Sequence, residues 1–105
     1  MAKLAEFRAS LASAKPPDGL PAPLAALWHA ERGDWDLAHR IVMDAKGAGA
    51  AWVHAYLHRQ EGDLENARYW YRKANRPEVT GDLATEWSAI ATALLEDGGD
   101  ASGPR

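Results

Sequence analysis

The feature that most constrains the fold is an internal repeat, in which one segment is followed by a similar segment about 29 residues later. Identical residues recur at this spacing: Ala26 and Ala55, His29 and His58, Gly33 and Gly62, Asp34 and Asp63, Ala38 and Ala67, Ala45 and Ala74. A repeat of this length holds one supersecondary unit, which cannot bury its own apolar face and therefore stacks on a neighbouring copy. We expect two stacked units of one design.

Each unit is predicted to be a helical hairpin, because a Gly-Asp pair separates two segments whose apolar residues have helical spacing. The glycine ends the first helix, and the aspartate accepts a hydrogen bond from a free backbone N–H at the start of the second. The hairpins are predicted over about residues 21–46 and 50–76, with "KGAGA" as the turn between them. The buried stripes of the two second helices are predicted to be Ala38, Ile41, Val42 and Ala45, and Ala67, Trp70, Tyr71 and Ala74.

Two further helices are predicted to flank the hairpins. The first covers about residues 2–14, with an apolar stripe of Leu4, Phe7, Leu11 and Ala14. The second covers about residues 82–96 and is opened by Thr80 or Asp82. The polar segment 98–105 has little to bury and is predicted to be disordered. We therefore expect a single all-α domain, residues 1–97, of stacked antiparallel hairpins with flanking helices.

Composition excludes several classes of function. The chain has 105 residues, enough for one domain. It contains no cysteine, which excludes disulfides, thiol nucleophiles and thiolate metal sites. A net charge of −3 is unfavourable for a nucleic-acid-binding domain. Neither a secretory signal nor a membrane-spanning segment is evident, so a cytoplasmic protein is expected.

The segments "GDWDLAH" and "GDLENARYWYRKA" resemble the turn and second helix of a tetratricopeptide repeat. The positions that match the family pattern are Ala26, Gly33, Trp35, Ala38, Val42 and Ala45 in the first copy, and Ala55, Gly62, Leu64, Ala67, Tyr71 and Ala74 in the second. His29 and His58 stand where the family prefers tyrosine. The chain also resembles a small uncharacterised bacterial family with the pattern "WVHAYLHR.EGD..NARYWYR.A", a resemblance that implies no activity.

The tetratricopeptide resemblance implies a non-enzymatic protein–protein interaction module. In that family a peptide or partner helix binds the surface formed by the first helices, where Trp52, Tyr56 and Arg59 are the main candidates here and Glu31 is a further one. Aromatic anchors beside an arginine are typical of binding hot spots. The alternative is that Trp52 and Tyr56 pack on the neighbouring hairpin or on the first helix. Self-association through an uncovered end of the stack is another open interpretation.

The segment "ARYWYRKANR" combines aromatic and basic residues. Helical spacing places Trp70 and Tyr71 on the buried stripe and leaves Tyr69 exposed, with Arg72 nearby. Ordinary packing with solvated cations is one interpretation. Binding of an anionic peptide or protein through Tyr69 and Arg72 is a second, and nucleic-acid binding is the least favoured.

His54 and His58 lie four residues apart, which is the spacing that lets two imidazoles on one helix share a metal ion. Zinc proteases with this histidine spacing carry a catalytic glutamate directly after the first histidine, where this chain has Ala55. A zinc-protease motif is therefore not predicted, and neither is any other catalytic residue. Packing explains His58, since it repeats His29, and no cofactor is expected. A metal or small-molecule site around His29, His54 and His58 remains the alternative, with His39 or Glu61 as further candidate ligands.

Overall fold

The computed structural model describes residues 3–96, and in this range the chain forms six α-helices and no strand. The helices are α1 (Lys3–Ser10), α2 (Ala22–Glu31), α3 (Trp35–Asp44), α4 (Ala48–Glu61), α5 (Leu64–Ala74) and α6 (Leu83–Glu96). Helices α2 and α3 form one hairpin and α4 and α5 the next, which confirms the predicted all-α architecture. No helix in this part of the chain has the length and apolar character needed to cross a membrane.

The two hairpins turn in the same way. Gly33 and Gly62 adopt positive φ angles of 87° and 86°, which glycine tolerates because it has no Cβ. Asp34 then accepts a hydrogen bond from the backbone N–H of Leu37, and Asp63 one from Asn66, each at 3.2 Å. The predicted N-caps of both second helices are therefore confirmed.

Alanines lie fully buried on the packed faces of the hairpin helices. Ala26 and Ala55 in the first helices and Ala38 in α3 are 0% exposed. Because the distance between packed helices depends on the side chains at the contact, these small residues bring the helices close together. Helix α4 packs on α2 and α3 as well as on α5, and it is the central element of the stack.

Helix α6 lies across the first helices of both hairpins, where it contacts α4 and α2. The indole N–H of Trp87 donates to the Leu27 carbonyl at 2.9 Å, and the Glu86 carboxylate is bonded to Arg59 and Tyr71. Helix α1 packs on α6, and its Ser10 hydroxyl accepts a hydrogen bond from the Trp28 indole of α2 at 3.1 Å. The C-terminal helix thus occupies the surface that the family resemblance assigned to a peptide.

Three predicted boundaries differ from the structure or fall outside it. Helix α1 ends at Ser10 instead of near residue 14, because the Arg32 guanidinium binds the carbonyls of Leu11 and Ser13 at 2.5 and 2.6 Å. Helix α4 begins at Ala48, inside the predicted turn. The segment 98–105, predicted to be disordered, lies outside the described residues.

Candidate metal centre

Three histidines meet where the second helix of the first hairpin packs on the first helix of the second. His54 and His58 are one turn apart on α4, and His39 comes from α3. The Nε2 atoms of His39 and His54 are 3.1 Å apart, so one ring donates a hydrogen bond to the other. One ligand atom from each of the three rings lies within 4.8 Å of the others. Three imidazoles therefore converge on one point.

The cluster belongs to the junction between the hairpins and is not repeated. The repeat places Ala25 at the position equivalent to His54, and Arg68 at the position equivalent to His39. His29, the equivalent of His58, lies apart and packs edge-on against Trp28 at 5.0 Å. His29, a member of the alternative site considered from the sequence, does not belong to this group, whereas His39, a further candidate ligand, does.

Two tryptophans hold the histidine rings from either side. Trp35 stacks on His39 with 4.7 Å between ring centroids, and Trp70 stacks on His54 at 3.8 Å. The Trp35 indole N–H also donates to the Leu57 carbonyl at 2.7 Å, which fixes this ring against α4. The two indole rings therefore form apolar walls against His39 and His54.

Glu61 orients the third histidine. The Nδ1 atom of His58 lies 2.7 Å from a Glu61 carboxylate oxygen, one turn further along the chain. A proton on Nδ1 satisfies this contact and leaves the lone pair on Nε2. Metal-binding histidines are typically held in this way by a carboxylate on the second nitrogen.

The environment disfavours the charged forms of His39 and His54. Burial, together with the neighbouring imidazoles of His39 and His58, lowers the pKa of His54 to about 4. Burial and His58 also lower the pKa of His39, although Glu61 and Asp36 oppose this. Both rings are therefore neutral at pH 7, so neither imidazole has to lose a charge-bearing proton before binding a metal. The ring that donates in the His39–His54 hydrogen bond carries its proton on Nε2, and this proton has to move to Nδ1 for both Nε2 atoms to bind one ion.

The histidines line a surface cavity of about 380 Å³. Its remaining walls are Met43, Asn66 and Trp70. His54 and His58 are only 4% and 5% exposed, whereas Met43 is 60% exposed at the mouth. In the same part of the chain, His58, Glu61 and Asp63 form a second group of possible metal ligands, but the two carboxylates of this group are exposed beside the turn.

The binding residues predicted on the first helices do not form an open groove. Trp52 and Tyr56 are 7% and 2% exposed, and the Arg76 guanidinium lies 3.7 Å from the Trp52 ring centroid. Arg59 is bonded to Glu86 and to the Gly81 carbonyl. Trp52 and Tyr56 are therefore buried within the fold, and Arg59 is bound to Glu86 of α6.

The other three predicted binding residues are exposed at separate places. Glu31 lies beside a cavity near Arg8 and Ser88. Tyr69 and Arg72 lie on the outer side of α5. The six predicted binding residues therefore do not form one site. Three of them pack inside the fold, Glu31 lies at one surface position, and Tyr69 and Arg72 lie at another.

Sequence reasoning placed His54 and His58 together but did not single out the two tryptophans or Asn66. The one available signal for Trp35 was its spacing, since it stands one helical turn before His39. Comparison of the chain with family models, curated proteins and solved structures found no match.

Proposed function

We propose that this protein binds a divalent transition-metal ion, with Zn²⁺ as the first candidate, through His39, His54 and His58. The observation that carries the proposal is the convergence of one ligand atom from each ring within 4.8 Å. These rings come from two helices in different hairpins, so helical spacing alone does not account for their meeting.

The distances suit a metal with little rearrangement. Two nitrogens bound at 2.0–2.1 Å to a tetrahedral ion are about 3.3 Å apart. The Nε2 atoms of His39 and His54 are already 3.1 Å apart. Imidazole is a good ligand for zinc, copper and nickel. The ion replaces the His39–His54 hydrogen bond with two metal bonds, and the Glu61 contact with His58 is kept.

An ion at this place ties α3 to α4 and thereby joins the two hairpins. Because an unfolded chain does not present the three rings together, binding stabilises the folded state. At a free zinc concentration of 100 times Kd, the stabilisation amounts to about 2.7 kcal/mol.

The test is isothermal titration of the untagged, chelator-treated protein with Zn²⁺. We expect one ion per chain. Replacing His39, His54 or His58 with alanine is expected to weaken binding by more than about 100-fold, since the loss of an outer-shell partner alone costs 10–100-fold.

The matched control is His29→Ala, which also removes one imidazole but lies outside the cluster. Circular dichroism confirms that each variant is folded. Equal zinc affinity in all four variants, or no saturable binding by the folded parent protein, would refute the metal site.

A second candidate function is the binding of an acidic peptide by the outer face of α5. Tyr69 and Leu64 are 44% and 51% exposed there. Helix α5 carries Arg68, Arg72 and Lys73 against the single acid Glu65, although the chain as a whole has a net charge of −3. In this candidate function Tyr69 and Arg72 contact the partner, as predicted from the sequence. The partner binds α5, the second helix of its hairpin, instead of the first helices.

Fluorescence anisotropy with a labelled peptide of alternating glutamate and leucine tests this candidate. We expect saturable binding that weakens with salt, and that is lost in the double variant R72E/K73E. The same peptide with lysine in place of glutamate is the control. Equal binding of both peptides, or no binding of the acidic one, would remove this candidate.

A further inference from the structure

The three-histidine cluster leaves one coordination position for a ligand from outside the chain. Structural zinc sites use four protein ligands, whereas sites with three keep the fourth position for water or a bound molecule. Over residues 3–96, no other histidine or carboxylate joins the group of His39, His54 and His58, and the chain has no cysteine.

The cavity limits what this ligand is. Beyond the histidines, the lining consists of the Asn66 amide and two apolar side chains, Met43 and Trp70. No lysine or arginine belongs to this described lining, so a bound ion is the source of positive charge. A multiply charged anion such as phosphate is favoured by arginine or lysine in the wall. The lining is better matched to a single negative charge.

Asn66 lines the same cavity as the three histidines and carries an amide that can donate a hydrogen bond. Its Nδ2 atom makes one long contact, 3.4 Å, to an Asp63 oxygen, and the amide has a second hydrogen to donate. A carboxylate suits this pair of partners, because one oxygen binds the ion and the other accepts from an amide. Met43 and Trp70 then provide the apolar contact for the organic group that the carboxylate carries.

Resting on the metal site proposed above, we infer that the bound ion takes a monocarboxylate with a small apolar substituent, oriented by the Asn66 amide and packed on Met43 and Trp70. The centre is thus a binding site for a small molecule and not solely a link between hairpins.

The experiment uses the full chain loaded with Co²⁺, whose visible absorption bands change when its coordination changes. The probes are acetate, phenylacetate and inorganic phosphate. Saturable spectral changes are expected with both carboxylates, with phenylacetate binding more tightly than acetate because its ring buries apolar surface. Phosphate is expected to bind more weakly than either.

Three variants assign the contacts. Asn66→Ala is expected to weaken both carboxylates roughly tenfold, the effect of losing a hydrogen bond to a charged group. Met43→Gln, at an exposed position, is expected to weaken phenylacetate and leave acetate unchanged. Asn75→Gly is the matched control, because Asn75 has a φ of 58° that glycine accepts and lies outside this cavity.

The outcomes separate the two proposals. If Co²⁺ binds one to one but neither carboxylate changes its spectrum, the inference is wrong and the metal site stands. If Co²⁺ does not bind, both fail. Tighter binding of phosphate than of phenylacetate, or an unchanged affinity in Asn66→Ala, would overturn the ligand assignment.

Discussion

Replacing Glu86 with leucine is expected to destabilise the protein by about 3–5 kcal/mol, because the substitution leaves a buried charge without its partner. Glu86 is 3% exposed, and its carboxylate accepts hydrogen bonds from the Arg59 guanidinium and the Tyr71 hydroxyl. Burial, followed by the bond to Glu86, raises the pKa of Tyr71, so the phenol remains protonated as the donor. Together these residues attach α6 to the second hairpin.

Urea unfolding followed by circular dichroism measures the effect, with the transition midpoint falling at an unchanged slope. The triple variant R59M/Y71F/E86L is expected to recover most of the loss, since it removes all three polar partners together. Glu78→Leu is the control: its ion pair with Arg68 is exposed, so a change within about 1 kcal/mol is expected. Similar free energies of unfolding for E78L and E86L would contradict this account.

Replacing Trp87 with alanine is expected to cost about 3–5 kcal/mol, the range for a buried aromatic residue. The indole is 3% exposed and stacks on Phe7 at 5.6 Å. Its N–H donates to the Leu27 carbonyl at 2.9 Å. One side chain therefore joins α6 to both α1 and α2, and its loss opens a cavity between three helices.

Trp87→Phe separates the two contributions of this residue. The phenyl ring keeps most of the apolar contact but loses the hydrogen bond that the indole donates to the Leu27 carbonyl, so a cost of about 1 kcal/mol is expected. Tyr69→Ala removes an exposed ring and is expected to change stability by less than about 0.5 kcal/mol. A Trp87→Ala protein as stable as Tyr69→Ala would show that α6 is not held through this contact.

The helical hairpins could be predicted because their signals are local. A glycine at a positive φ and an aspartate cap act within one turn of the chain, so Gly33, Asp34, Gly62 and Asp63 are sufficient to place both turns. The exposure of Tyr69 beside the buried Tyr71 follows from helical periodicity in the same way. The end of α1 could not be predicted, because Arg32 from another helix takes the carbonyls that follow it.

Only part of the candidate site could be predicted from the sequence. His54 and His58 share a helix, and their spacing places them on one face. His39 lies 15 residues from His54 and meets it only because α3 packs on α4. No periodic pattern connects residues on two helices, so the third ligand depended on the packing.

The sequence by itself determined the repeat, the two Gly-Asp turns, the caps of α3 and α5 and the stripes that these two helices turn inward, because these depend on contacts within a few turns of the chain. The tertiary structure alone decided which surfaces remain open. The bonds of Glu86 to Arg59 and Tyr71 hold α6 on the second hairpin, and the crossing of α3 and α4 assembles the three histidines. Both outcomes depend on contacts between residues distant in the chain, which helical periodicity does not specify.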